Sequence, residues 1–165
     1  LDISSRGRKR KIQLAQEFGV TDYPAPAGGC LLTDKGYSSR LKDLFDHQEA
    51  VAEKDLELLK YGRHFRIDAH TKIIVGRTEK DNAQILKYSN PENDTIIRMR
   101  NIPGPVALIP SGAGPDKIML AATMCVGYSK ASDKTPAHVV ITAPSGKQTV
   151  KILGIPPKKL NHLLI

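Results

Sequence analysis

The sequence predicts an α+β fold: a short helical N-terminal segment followed by a mixed, largely antiparallel sheet with two packed helices. After Gly62 the hydrophobic rhythm changes from helical spacing to alternation with β-branched residues. The strand-like segments come in pairs separated by helical stretches, a pattern that suits hairpins and not a parallel doubly wound sheet. A length of 165 residues, with 40% hydrophobic and 25% charged side chains, allows one ordinary domain or two small ones and excludes wholesale disorder.

Ile12, Leu14, Ala15 and Phe18 recur at near-helical spacing before Gly19, so the first helix is placed from about Gly7 to Phe18. Its first turns carry cations, against the helix dipole. Two prolines and two glycines between Tyr23 and Cys30 force a loop that delivers Cys30. Ser38 or Ser39 can cap a helix in which Leu41, Leu44 and Phe45 share a face, and a shorter helix spans about Glu53 to Lys60. His64 to Ile67 and Lys72 to Gly76 read as a hairpin. A helix capped by Thr78 follows, from about Glu79 to Tyr88. Thr95 to Arg100 and Pro105 to Ile109 read as strands around a tight Pro103-Gly104-Pro105 corner, and Pro115 to Ala131 as the longest helix. Ala137 to Ala143 and Gln148 to Leu153 are the last two strands. The acidic stretch from about Asp46 to Glu57 is the best place for an interdomain junction.

The net charge of +8 is unevenly spread. Residues 1–70 hold 12 basic and 11 acidic side chains, whereas residues 71–165 hold 13 and 6. A basic N-terminal block (Arg6, Arg8, Lys9, Arg10, Lys11) and a basic second half (Lys72, Arg77, Lys80, Arg98, Arg100, Lys130) suit a polyanionic partner, most simply RNA or DNA. A solvated, solubilising face gives the same composition. Arg98 and Arg100 stand two apart in a strand and share a sheet face. Rings are sparse after residue 60, so shape and backbone contacts are favoured over base stacking.

No apolar run approaches the roughly 20 residues that cross a bilayer, and no signal peptide is read, so a soluble, cytoplasmic protein without membrane contact is expected. Two cysteines make no disulfide scaffold, and the five histidines show no metal-ligand spacing. Cys30, directly after Gly28-Gly29, is open on one side and could act as a nucleophile or sulfur carrier; an inert half-buried thiol is the alternative. Cys125 lies on the apolar stripe of the long helix and is assigned to the core. The chain has no initiating Met, so a preceding N-terminal part is expected.

Two resemblances rest on these residues. Residues 6–45, from the Arg6-Gly-Arg-Lys-Arg-Lys11 block through Pro24-Ala-Pro-Ala-Gly-Gly-Cys30 to Leu44-Phe45, resemble the region after the ATP-pyrophosphatase domain of tRNA sulfurtransferases related to tRNA 2-thiouridylases, some of them named tRNA methyltransferases. That resemblance implies Cys30 as a catalytic persulfide carrier, tRNA as partner and a possible sulfur-donor protein. ATP and Mg belong to the preceding domain and no cofactor to this chain. The pyrophosphate loop, the partner cysteine and any S-adenosylmethionine loop are absent, so the chain alone is expected to be inactive.

Residues 61–153 are similar to the NFACT-R type of RNA-binding domain. The similarity runs through Ile74-Val-Gly-Arg77, Glu79 to Asn82, Pro103-Gly-Pro105, Ala121-Ala122 to Tyr128-Ser-Lys130, His138-Val-Val140 and Lys151-Ile-Leu-Gly154. The expected organisation is a linker over 1–52 carrying the Gly-Gly-Cys loop and an RNA-binding domain over 53–165. The alternative to a thiolation enzyme is a non-catalytic RNA-binding module with a structural Cys30.

Overall fold

The structure is a computed structural model that describes residues 9–20, 30–131 and 135–165. Helix α1 (Lys9–Glu17) ends where expected, with Gly19 at φ +67° and Val20 N–H bonded to Ala15 O at 2.8 Å. Helix α2 (Lys35–His47) starts earlier than Ser38 or Ser39 would allow. Asp34 is its cap, its Oδ1 accepting from Tyr37 N–H at 2.6 Å, while Ser38 donates to Leu32 O. Leu44 is buried in α2 but Phe45 is 59% exposed, so the two do not share a buried face. Helix α3 (Glu53–Leu58) buries Leu58, and Leu59 follows it into the interior.

Strands β1 (Arg63–Arg66) and β2 (Lys72–Val75) form the expected hairpin, and α4 (Glu79–Tyr88) is capped by Thr78, whose hydroxyl accepts from Asp81 N–H at 3.1 Å. Strands β3 (Thr95–Met99) and β4 (Val106–Ile109) pair across the Pro-Gly-Pro corner. Helix α5 (Pro115–Gly127) stops about a turn before Ala131. Strands β5 (Ala137–Ala143) and β6 (Gly146–Ile152) form the last hairpin, and a 3-10 segment over Pro157–Leu163, not foreseen in the sequence, buries Leu160.

Among the described residues six strands lie in the order β1-β2-β4-β3-β5-β6, and every pairing is antiparallel, so this sheet is not mixed. Strand alternation sorts the side chains into two layers. Phe65, Ile73, Val75, Ile97, Ala107, Ile109, Val139 and Ile141 meet Ala121, Ala122, Met124 and Cys125 of α5. On the opposite face Ile74, Ile96, Val106 and Leu108 meet Leu58 of α3 and Ile85 of α4. The β5–β6 end of that second face carries exposed polar side chains.

Asp43 of α2 binds Arg66 Nε and Nη2 at 2.9 and 2.6 Å and lies 3.2 Å from Lys72 Nζ, which fixes α2 to the first hairpin. No helix among the described residues is long and apolar enough to cross a membrane.

Candidate nucleic-acid interface

Four connections converge on one cleft of about 270 Å³: the start of β1 (Arg63), the turn from β2 to α4 (Gly76, Arg77, Asn82), the β3–β4 corner (Pro103, Gly104, Pro105) and the end of α5 (Tyr128, Ser129, Lys130). Asn82 holds the corner in place, since its Oδ1 accepts from Val106 N–H at 2.9 Å and its Nδ2 donates to Gly104 O at 3.4 Å. Glycine is needed at both sides of this contact. A Cβ on Gly76 would run into Asn82 Oδ1, and one on Gly104 would lie 2.8 Å from Ser129 Cβ. Lys130 N–H donates to Pro103 O at 3.2 Å, closing the rim.

Among the described residues the lining includes three cations and no carboxylate. Asp81 sits behind the cleft, 7% exposed, and its Oδ2 accepts from Arg77 N–H at 3.2 Å, Arg77 Nε at 3.0 Å and Gly62 N–H at 3.2 Å. Burial alone would raise the Asp81 carboxyl, but the bonds and charge of Arg77 outweigh it and hold the group below its ordinary value. Arg77 is thus oriented through its backbone and Nε, and its side chain remains 43% exposed. Arg63 stacks over the Tyr128 ring at 4.7 Å, and Phe65 backs that ring at 6.0 Å. Burial pushes the Tyr128 phenol up, with the Arg63 charge opposing.

Of the residues picked from sequence, Arg77 and Lys130 line this cleft, and Lys80 is exposed in the first turn of α4. Arg98 is exposed on β3, and Arg100 lies just past that strand. Lys72 does not belong with them. It is 9% exposed and engaged by Asp43, and burial lowers its pKa despite the carboxylate beside it. Lys9, Arg10 and Lys11 fall in α1, where Arg10 is exposed, while Arg6 and Arg8 lie outside the described residues.

Arg63 escaped the sequence reading, and Asn82, Tyr128 and Ser129 entered it only as parts of motifs. The available signal was the motif series itself, because Gly76-Arg77, Asn82, Pro103 to Pro105 and Tyr128 to Lys130 all meet here.

Cys30 is exposed at the start of a 3-10 turn (Leu31–Thr33) and accepts through its carbonyl from Thr33 N–H and Oγ1. It is not among the cleft residues, and Gly28-Gly29 lie outside the described ones. Cys125 is fully buried, with Sγ 3.2 Å from Pro105 O, and burial pushes its thiol up to about 12. Of the histidines, His64 is buried in β1, 1% exposed, and donates from Nε2 to Tyr61 O at 2.9 Å. Among the described residues no cluster of His, Cys, Asp and Glu is arranged to hold a metal ion.

Fold and cleft together define an α+β domain with a cationic recess lined by Arg63, Arg77 and Lys130. Residues 62–163 match the NFACT protein RNA binding domain, and the chain belongs to that family. Among solved structures, the C-terminal part of the fibronectin/fibrinogen-binding protein from Streptococcus suis aligns with a TM-score of 0.53 at 18% identity, covering 76% of this chain. The chain spans 58% of that structure, and the likeness is one of fold. No curated protein matches the chain.

Proposed function

We propose that this chain holds structured RNA, tRNA in particular, by its phosphate backbone, with the cleft as the primary contact. The observation that carries the reading is the convergence of Arg63, Arg77 and Lys130 around Tyr128, with no carboxylate among the described lining residues. Arg77 is held by the buried Asp81 and Arg63 by a ring, so both guanidinium groups are oriented before a ligand arrives. Membership of an RNA-binding family supports the same reading. The test is the affinity of the chain for labelled tRNA across a salt series, because each phosphate neutralised adds roughly 0.7–0.9 to the slope of log K against log salt. Arg77→Ala with Lys130→Ala weakens binding and flattens the slope; parental affinity in that variant contradicts the proposal.

A second reading adds chemistry. Cys30 is exposed where Cys125 is sealed, and residues 6–45 resemble the segment that carries a catalytic thiol in tRNA sulfurtransferases. On this reading the chain is the tRNA-binding portion of a longer ATP-dependent thiolation enzyme in the cytoplasm. Cys30 carries persulfide sulfur received from a donor protein, and ATP and Mg are bound elsewhere in the longer protein. Unchanged tRNA thionucleoside levels in cells carrying only a Cys30→Ser form would exclude the sulfur-carrier role and leave RNA binding untouched.

A further inference from the structure

The helices leave part of one sheet face open. On the layer shared with Ile74, Ile96 and Leu108, α3 and α4 cover β2, β4 and Ile96 of β3, leaving the Arg98 end of β3 clear, while α5 packs on the opposite face. Beyond β4, the pairing registers fix which residues stand on the open layer. Arg98 is opposite Val140, which is opposite Thr149; His138 is opposite Lys151; Thr142 is opposite Lys147. Arg100 continues the pairing past the end of β3, its N–H bonded to His138 O at 2.9 Å. Arg100, His138 and Lys151 therefore form one row across three neighbouring strands, at an interstrand spacing of about 4.8 Å. Arg98 stands in the next row, roughly 7 Å along the strand, and Lys147 lies at the far end of β6.

Arg98, Arg100, His138, Lys147, Thr149 and Lys151 are all exposed, and none of them is in an ion pair among the described residues. Lysines on β6 have an ordinary use, since charge on an edge strand discourages pairing with another chain. That use does not extend to Arg98, which sits on an inner strand between β4 and β5. This face also joins the cleft: Arg98 is opposite Val106, whose N–H is bonded by Asn82 of the cleft rim.

We infer that the open β3–β5–β6 face is a second RNA-backbone surface, continuous with the cleft, along which a bound strand or helix lays successive phosphates over Arg98, Arg100, Lys151 and Lys147. The inference rests on the RNA-binding reading and extends it. His138 is the sole ring among these residues, so recognition there proceeds by charge and shape and is indifferent to base sequence.

The test uses the 165-residue chain, labelled bulk tRNA and fluorescence anisotropy from 50 to 300 mM salt. An Arg98→Ala, Arg100→Ala, Lys151→Ala variant, its fold checked by thermal melting, is compared with the Arg77→Ala, Lys130→Ala cleft variant. The expected result is at least about tenfold weaker binding by the face variant at 150 mM salt, with a slope smaller by roughly 2 to 3. Parental affinity and slope in the face variant, with binding lost in the cleft variant, would overturn this inference and spare the RNA-binding reading. Parental binding in both variants, or none by the unaltered chain, would remove both. Preferential binding of the open face to polyglutamate over tRNA would assign it to an acidic protein partner and overturn the inference.

Discussion

Asn82 and Val106, twenty-four residues apart, are joined by a 2.9 Å hydrogen bond from the Val106 amide to the Asn82 side chain. This bond ties the first turns of α4 to the start of β4 and so sets the width of the cleft. Asn82→Ala leaves the Val106 amide and the Gly104 carbonyl without that partner, at a cost of about 1–3 kcal/mol. Denaturant unfolding measures it, and a variant within about 0.3 kcal/mol of the parent contradicts the role given to Asn82. Gly76→Ala, whose Cβ displaces the same side chain, should weaken tRNA binding as well as stability.

Asp43 faces two cations from a hairpin distant in sequence, and Lys72 beside it has a 10% exposed side chain. Asp43→Ala leaves a buried ammonium without its counter-charge and is expected to cost about 3 kcal/mol in urea unfolding. Adding Lys72→Met should recover much of the loss. A single variant as stable as the parent would show that the pair holds nothing together.

The same residues show how far the sequence could be read. Helix α4 was legible because its cap, Thr78, and its apolar positions are local, and the strands were legible because alternation is local too. The start of α2 was misplaced because Asp34, Ser38 and Ser39 are all competent caps, and local sequence does not choose between them. Lys72 looked like any other cation in a basic half. Its burial depends on Asp43, which a different element brings to it. Arg63 was passed over for the same reason, since its partner Tyr128 follows α5. Charge composition showed a basic second half, alternation put Arg98 and Arg100 on one face, and the strand registers added Lys147 and Lys151 to it.

Stability should fall in acid in two stages. His64 is buried and held well below its ordinary 6.5, by burial first and by the Lys72 charge second. Below about pH 6.5 the unfolded chain takes up a proton that the folded chain refuses, so stability rises with pH up to that value and then levels. Asp43 is also held low: burial opposes, but the Arg66 bonds and the Lys72 and Arg66 charges prevail. Its contribution is complete above the unfolded value near 3.8 and is lost as pH falls through the lower folded value. Melting temperature against pH checks both stages, with His64→Gln flattening the first and leaving the second. A melting temperature that rises on acidification from pH 6.5 to 5 contradicts this assignment.

The two thiols should differ in reach. Iodoacetamide at pH 8 is expected to label Cys30 in the folded chain and to spare Cys125, which α5 turns into the core with its pKa pushed up to about 12. Mass spectrometry reads the sites. Labelling of Cys125 at a comparable rate in the native state would contradict the packing of α5.

The most direct test of the account is the salt dependence of tRNA binding by the parent chain and by an Arg63→Ala, Arg77→Ala, Lys130→Ala variant. Affinity in the parent is expected to fall steeply with salt. The variant is expected to lose most of that affinity, with a slope shallower by roughly 2 to 3, at a temperature where its melting curve shows it folded. Binding that ignores salt, or a variant that binds tRNA as the parent does, would contradict it.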